Sequence, residues 1–273
     1  MRTGYIQMTP EWGNVSANWD SVRRHVMACD ADLLVLPEFF NTGYLFLTRE
    51  EVMDFAEPVP DGPTTRFLLD LAVESRTCLV AGLPERAGDR LFNTALLVTS
   101  EGRWMRYRKT HLFDTEKQFF DPGDTGFIVV DIGICRVGVM ICFDWLFPES
   151  VRTLTLCGAQ VIAHPANLVL PFCPAAMITR CLENRIFSVT ANRSGSEHRN
   201  DRSLHYIGCS RIVAPDGTVL AESGSESQDT QIVEMDPREA DNKWITLVNH
   251  VLQDRRIHQY RMDRPFSDCD RLT

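Results

Sequence analysis

The chain has 273 residues, 44% hydrophobic and 24% charged, with Lys+Arg 28 against Asp+Glu 37 and a net charge of −9. That length and ordinary apolar content exclude a disordered, collagen-like or membrane-bundle chain and allow a sizeable core without disulfide or metal staples. The acidic balance opposes nucleic-acid binding, which runs on phosphate neutralisation, and equally an anionic membrane surface.

Short apolar runs alternate with amphipathic stretches. Strands are predicted at Gly4–Met8, Asp32–Pro37, Cys78–Leu83, Thr94–Thr99, Arg103–Tyr107 and Val137–Cys142. Further strands are predicted at Gln160–His164, Phe187–Ala191, Cys209–Ala214, Thr218–Glu222 and Gln231–Met235. Helices are predicted at Asn18–Cys29, Thr64–Ser75, Pro148–Cys157, Ala175–Ile186 and within Pro237–Arg256. In the second of these, Phe67, Leu68, Leu71 and Ala72 share one helical face. Asp216-Gly217 reads as a hairpin turn, and the polar stretch Gly224–Thr230 as a loop. Strand and helix in alternation predict an α/β protein.

The order of elements repeats. ADLLVLPEF, CLVAGLPE and NTALLVTSEGRWMRY in the first half answer AQVIAHPAN, FSVTANR and CSRIVAPDGTVLAE in the second. The length alone allows about two units. The repeat, with no Pro/Gly/Ser-rich linker between the halves, instead predicts two sheets within one domain spanning residues 1–273.

Nine cysteines, an odd number, show no C-x-x-C ligand pair, which opposes a structural zinc site. Several lie in apolar runs, as free thiols do, so a reducing compartment, the cytoplasm, is expected. The start MRTGYIQMTPEW lacks the basic and apolar regions of a signal peptide, and no apolar run reaches membrane-spanning length.

Glu38 ends LLVLPE, Lys109 ends WMRYRK and Cys142 ends VGVMIC, each at the carboxyl end of a predicted strand, where the ligand crevices of α/β sheets lie. Alternation puts Met105, Tyr107 and Lys109 on one face, opposite Trp104, Arg106 and Arg108. Taken singly, Cys142 reads as a core cysteine, Lys109 as a solvated strand end and Glu38 as a cap. Brought together, a buried Lys, Glu and Cys are expensive to assemble without a purpose.

LLVLPEFFNTGY, YRKTHLFDTEKQFFDPG and VGVMICFDWLFPES resemble the three signature segments of the nitrilase superfamily of carbon–nitrogen hydrolases, and the likeness extends to HPANLVLP and ENRIFSVTANR. The resemblance implies a four-layer α-β-β-α sandwich with pseudo-two-fold halves and a homodimer or larger homo-oligomer. It implies a nucleophile at Cys142, a base at Glu38, a cation at Lys109 and a second glutamate at Glu116, with no metal and no cofactor. Tyr44, Phe143, Trp145 and Asn167 fall in or beside segments whose counterparts line family pockets. Asp144 is expected to fix the turn after Cys142, and His111 and His164 to be structural.

Cys142-Phe143-Asp144 resembles the amidase and carbamoylase branches more than the Cys-Trp-Glu of nitrilases. Leu146 stands where relatives acting on carboxylate-bearing substrates often carry Arg. The expectation is therefore an aliphatic amidase or N-carbamoyl amine amidohydrolase of the N-carbamoylputrescine amidase type, taking a neutral or amine-bearing amide or ureido substrate. The alternatives are hydrolysis of aliphatic nitriles and a non-catalytic interaction protein that keeps the fold alone.

Overall fold

Strand β1 (Arg2–Gln7) is buried on both faces, which predicts layers on either side of it. In chain order there follow α1 (Val15–Met27), β2 (Leu33–Val35), α2 (Arg49–Phe55), α3 (Pro63–Ser75), β3 (Cys78–Ala87), β4 (Arg90–Val98) and β5 (Trp104–Arg108). Next come α4 (Glu116–Phe119), β6 (Val129–Asp131), β7 (Arg136–Val139), α5 (Pro148–Leu156), β8 (Val161–Ala166), α6 (Cys173–Asn184) and β9 (Phe187–Asn192). The last strands are β10 (Ser196–Arg199), β11 (Arg202–His205), β12 (Arg211–Val213), β13 (Val219–Glu222) and β14 (Asp229–Glu234). The structure, a computed structural model, describes residues 1–260; Cys269 and the C-terminal end of the expected 1–273 domain lie outside them.

Two six-stranded sheets form, in the orders β14-β1-β2-β3-β4-β5 and β13-β12-β9-β8-β7-β6. In the first, β1, β2 and β3 run parallel, with β14 antiparallel on one side and β4 and β5 on the other. In the second, β7, β8 and β9 run parallel, with β6 antiparallel on one side and β12 and β13 on the other. The two pairing patterns are the same, as the repeat in the sequence predicts.

Alternation along the strands divides the core. Tyr5, Leu33, Val35 and Val80 join one apolar cluster with Val137, Val139, Val161, Ala163 and Val189 of the opposite sheet. Their neighbours Ile6, Leu34, Leu36, Leu79 and Ala81 face the other way, onto Val22 and Val26 of α1 and Leu68, Leu71 and Ala72 of α3. Val151 and Leu154 of α5 and Cys173 and Met177 of α6 pack on the second sheet. The result is the expected α-β-β-α sandwich.

Several elements differ from the sequence reading. The helix expected within Pro237–Arg256 is only a 3-10 turn, Pro237–Asp241, started by the Asp236 carboxylate accepting from the Arg238 N–H. Helix α2 has no apolar period to betray it, but its start carries two side-chain bonds: Thr48 accepts from the Glu51 N–H and Glu51 accepts from the Leu47 N–H. The hairpin β10–β11 is polar, and its signal is Asn200-Asp201 at the turn, with Asn200 at φ 53°. Strand β6 and the four-residue α4 are also unforeseen, being too short for periodicity to register. Gly224–Thr230 is a loop only as far as Gln228, because Asp229 and Thr230 already pair in β14.

Candidate active site

Three segments that follow strands build the site. After β2 the chain turns at Glu38, and Phe39 takes φ 48°, a left-handed conformation that costs a bulky residue energy. Gly82 of β3 makes that bend possible. A Cβ there would meet the Glu38 Cα at 2.6 Å and the Phe39 N at 2.9 Å. Asn167 then holds the Glu38 carbonyl through its side-chain N–H at 2.8 Å.

Lys109 follows directly on β5 and keeps the ladder, donating its N–H to the Asn93 carbonyl at 2.8 Å. Gly123 donates to the Lys109 carbonyl at 2.9 Å, and a Cβ there would meet the Arg108 and Lys109 carbonyls.

Cys142 does not end a strand, as the sequence reading had it. Strand β7 stops at Val139, and Cys142 opens a 3-10 turn, Cys142–Leu146, at φ 41°. The cause is Asp144, fully buried, whose carboxylate accepts from the Ile141 N–H at 2.9 Å, the Tyr107 hydroxyl at 2.8 Å, and the His111 N–H and Nδ1 at 3.1 and 2.8 Å. Four donors from the two sheet ends converge on one carboxylate, so Asp144 ties the Lys109 segment to the Cys142 turn. His164 holds the Cys142 carbonyl at 3.0 Å through Nε2 and meets the Thr190 hydroxyl at 3.0 Å through Nδ1. Burial lowers the His164 pKa to about 4, so the ring is neutral and donates from Nε2. Both histidines are thus structural. The first N–H groups of the Cys142 turn, including that of Phe143, have no partner within the turn.

The functional groups meet between the sheets. The Lys109 ammonium donates to Glu38 Oε1 at 2.7 Å and to Glu116 Oε1 at 2.8 Å. Asn93, which sequence reasoning missed, donates to the same Glu38 oxygen at 2.6 Å. Glu38 Oε2 has no hydrogen-bond partner among the described residues. Glu116 fixes the turn before its short helix by accepting from the Phe113 N–H at 3.1 Å, and it accepts the Tyr44 hydroxyl at 2.6 Å. Tyr44 therefore supports Glu116 directly. The Tyr44 backbone is pinned in turn by Glu197, which accepts from the Tyr44 and Leu45 N–H groups, the Tyr206 hydroxyl and buried Arg193.

Burial raises the Glu38 pKa, against the pull of the Lys109 ammonium. Burial alone would lower the Lys109 pKa, but the Glu116 and Glu38 carboxylates overcome it and hold the amine charged. The Cys142 thiol is pushed well above its usual range, first by burial and then by the negative charge of Glu38. The resting group is a thiol beside a carboxylate of raised basicity.

A cavity opens over Cys142, walled by Phe113, Phe143, Trp145, Asn167 and Val169. A second shares Phe113 and Val169 and reaches Tyr44 and Glu116. Glu38, Lys109 and Glu116 thus form the cluster, and Cys142, Tyr44, Phe143, Trp145 and Asn167 line these walls. Among the described residues no group of three or more His, Cys, Asp or Glu is arranged to hold a metal ion, and no helix is long and apolar enough to cross a membrane.

An α-β-β-α sandwich of two like halves with these groups just beyond its strands has the architecture of the nitrilase superfamily. Residues 2–242 match the carbon–nitrogen hydrolase family, and the chain belongs to it. It is 46% identical over 95% of its length to a nitrilase from Pyrococcus abyssi (strain GE5 / Orsay), covering 99% of that protein. It is 34% identical to an (R)-stereoselective amidase from Pseudomonas sp, covering 86% of this chain and 85% of that one. Among solved structures it resembles an amidase from Nesterenkonia sp. AN1 (TM-score 0.77, 26% identity, 94% of each chain), a variant of which shows covalent addition of the acetamide moiety of fluoroacetamide at its active-site cysteine.

Proposed function

We propose that this carbon–nitrogen hydrolase is an aliphatic amidase or N-carbamoyl amine amidohydrolase with Cys142 as nucleophile. The observation that carries the reading is the buried Lys109 ammonium held between Glu38 and Glu116 beside the thiol. Glu38 takes the thiol proton as Sγ bonds to the substrate carbonyl carbon. The oxyanion meets the Lys109 ammonium and the Phe143 N–H. Glu38 returns the proton to the departing ammonia, leaving a thioester. A water then attacks the thioester carbonyl, Glu38 takes its proton, the acid leaves, and the thiol is restored. Glu116, braced by Tyr44, keeps Lys109 aimed at the oxyanion. Residues from both halves are needed, so the chain acts as one unit; we place it in the cytoplasm as a homodimer or larger homo-oligomer.

The 46% identity to a protein named nitrilase favours nitrile hydrolysis as a second reading. Specificity constants for a matched aliphatic amide, ureido compound and nitrile, read by released ammonia, decide between them. A nitrile preferred tenfold or more would overturn the amidase reading.

A further inference from the structure

The hairpin β10–β11 brings one more cation to the site. Three arginines in this stretch differ in what they meet. Arg193 is fully buried against Glu197 and lies over the Tyr206 ring at 4.0 Å. Arg199 pairs with Glu51 at 2.7 Å and lies over the Trp12 ring at 3.4 Å. Arg202 has no carboxylate within salt-bridge distance among the described residues, and it lines the cavity that holds Tyr44 and Glu116. Apart from Arg202, Asp114, Thr115 and Glu116, that cavity is walled by aromatic and aliphatic side chains, among them Phe39, Phe46 and Phe120.

A half-buried guanidinium beside an apolar cavity loses part of its hydration. An anion entering the cavity would restore that loss through a charge-assisted hydrogen bond. The hairpin is anchored for such a task, because Glu197 of β10 holds the Tyr44 and Leu45 N–H groups of the opposite wall. Leu146, where relatives acting on carboxylate-bearing substrates often carry Arg, is exposed. A leucine at 146 therefore leaves the cation to come from another element.

We infer that Arg202 is a specificity-determining residue that selects, among amides and N-carbamoyl compounds, those carrying a carboxylate at the end remote from the scissile bond. The proposal rests on the hydrolase reading above and replaces the expectation of a neutral or amine-bearing substrate. Asp114, on the same wall, is the internal competitor for Arg202: its carboxylate opposes an entering anion.

The test compares kcat/KM of the full-length protein for a neutral aliphatic amide and for the monoamide of a dicarboxylic acid of matched length. The ratio of acid-bearing over neutral falls roughly 10- to 100-fold in Arg202→Leu, as expected for loss of one charge-assisted contact. The change lies mainly in KM, because the carboxylate is held in the ground state and the transition state alike. Asp114→Asn raises the ratio. A ratio unchanged within about twofold in Arg202→Leu, including one in which both substrates suffer equally, overturns the proposal. Calorimetric binding of the same two amides to Cys142→Ala needs no turnover. There, tighter binding of the acid-bearing amide that Arg202→Leu abolishes supports the anion site even where catalysis on amides fails. Equal binding of the two overturns it.

Discussion

Arg108 and Lys109 are consecutive in the chain, and each carries a cation to buried carboxylates on opposite faces of β5. The Arg108 guanidinium grips both oxygens of fully buried Glu85, at 2.6 and 3.0 Å, and Asp124 at 2.8 Å. Arg106 and the Thr94 hydroxyl complete the Glu85 shell, and Arg108 lies over the Phe92 ring at 3.7 Å. Both carboxylate oxygens are taken, and the Glu85 hydrogen bonds raise the Arg108 pKa further. Lys109 instead serves two carboxylates with one ammonium, and Glu38 keeps one oxygen without a partner. The Arg108 set is saturated and rigid, so it stabilises. The Lys109 set is under-satisfied, with a carboxylate of raised pKa beside a thiol, so it is poised to move a proton. Local chemistry is nearly alike in the two places; what differs is whether every lone pair has found a partner.

Four experiments break or sharpen that contrast. Cys142→Ala removes the bond-forming atom from the poised cluster, and turnover falls by at least roughly a thousandfold. Its thermal midpoint changes little, since the lost group is small and the core term is on the order of 1 kcal/mol. Retained turnover above a few per cent would refute the nucleophile, by steady-state ammonia release. Lys109→Met keeps length and loses charge, and kcat falls roughly a hundredfold to a thousandfold, as for a lost oxyanion donor. A raised KM with unchanged kcat would make Lys109 a substrate anchor only.

Arg108→Met strikes the saturated cluster. Glu85 loses its bidentate partner inside the fold, and stability falls by about 3 kcal/mol, near the low end for a broken buried pair because Arg106 remains. Denaturant melts check this, and an unchanged midpoint would show that the Glu85 cluster contributes nothing. The smallest effect is a pH slope from His164, which supports the Cys142 carbonyl. Its folded pKa of about 4 lies below the value of roughly 6.5 in the unfolded chain. The unfolded state therefore binds the proton more readily, so stability is full above pH 6.5 and is lost as pH falls toward 4. The loss reaches at most about 3 kcal/mol. His164→Gln flattens that part of the stability profile; a slope that persists would assign it to other groups.

Much of this was legible beforehand for a definite reason. Glu38 and Cys142 each close an apolar run, Lys109 closes an alternating one, and strand periodicity alone separates Lys109 from Arg108 by face. The duplicated order of strands likewise announced two sheets. Asn93, Gly82, Glu197 and Arg202 were not legible as parts of the site. Nothing local distinguishes an asparagine in a strand that will face Glu38 from one that will not, or a glycine that leaves room for the Glu38 bend. Arg202 sits in a polar hairpin without apolar period, beside two other arginines of similar local sequence.

The amino-acid sequence by itself determined most of the strands that form, which of their faces are apolar, and which reactive side chains follow closely on them, because alternation and apolar runs are local properties of the chain. Only the tertiary structure decided which charges share a carboxylate, which oxygen is left over, and which arginine looks into the cavity. Those are matters of distance between segments far apart in sequence, as with Glu38 and Lys109 or Arg202 and Tyr44. Burial then acts on them by removing the water that would otherwise make one buried ion pair equivalent to another.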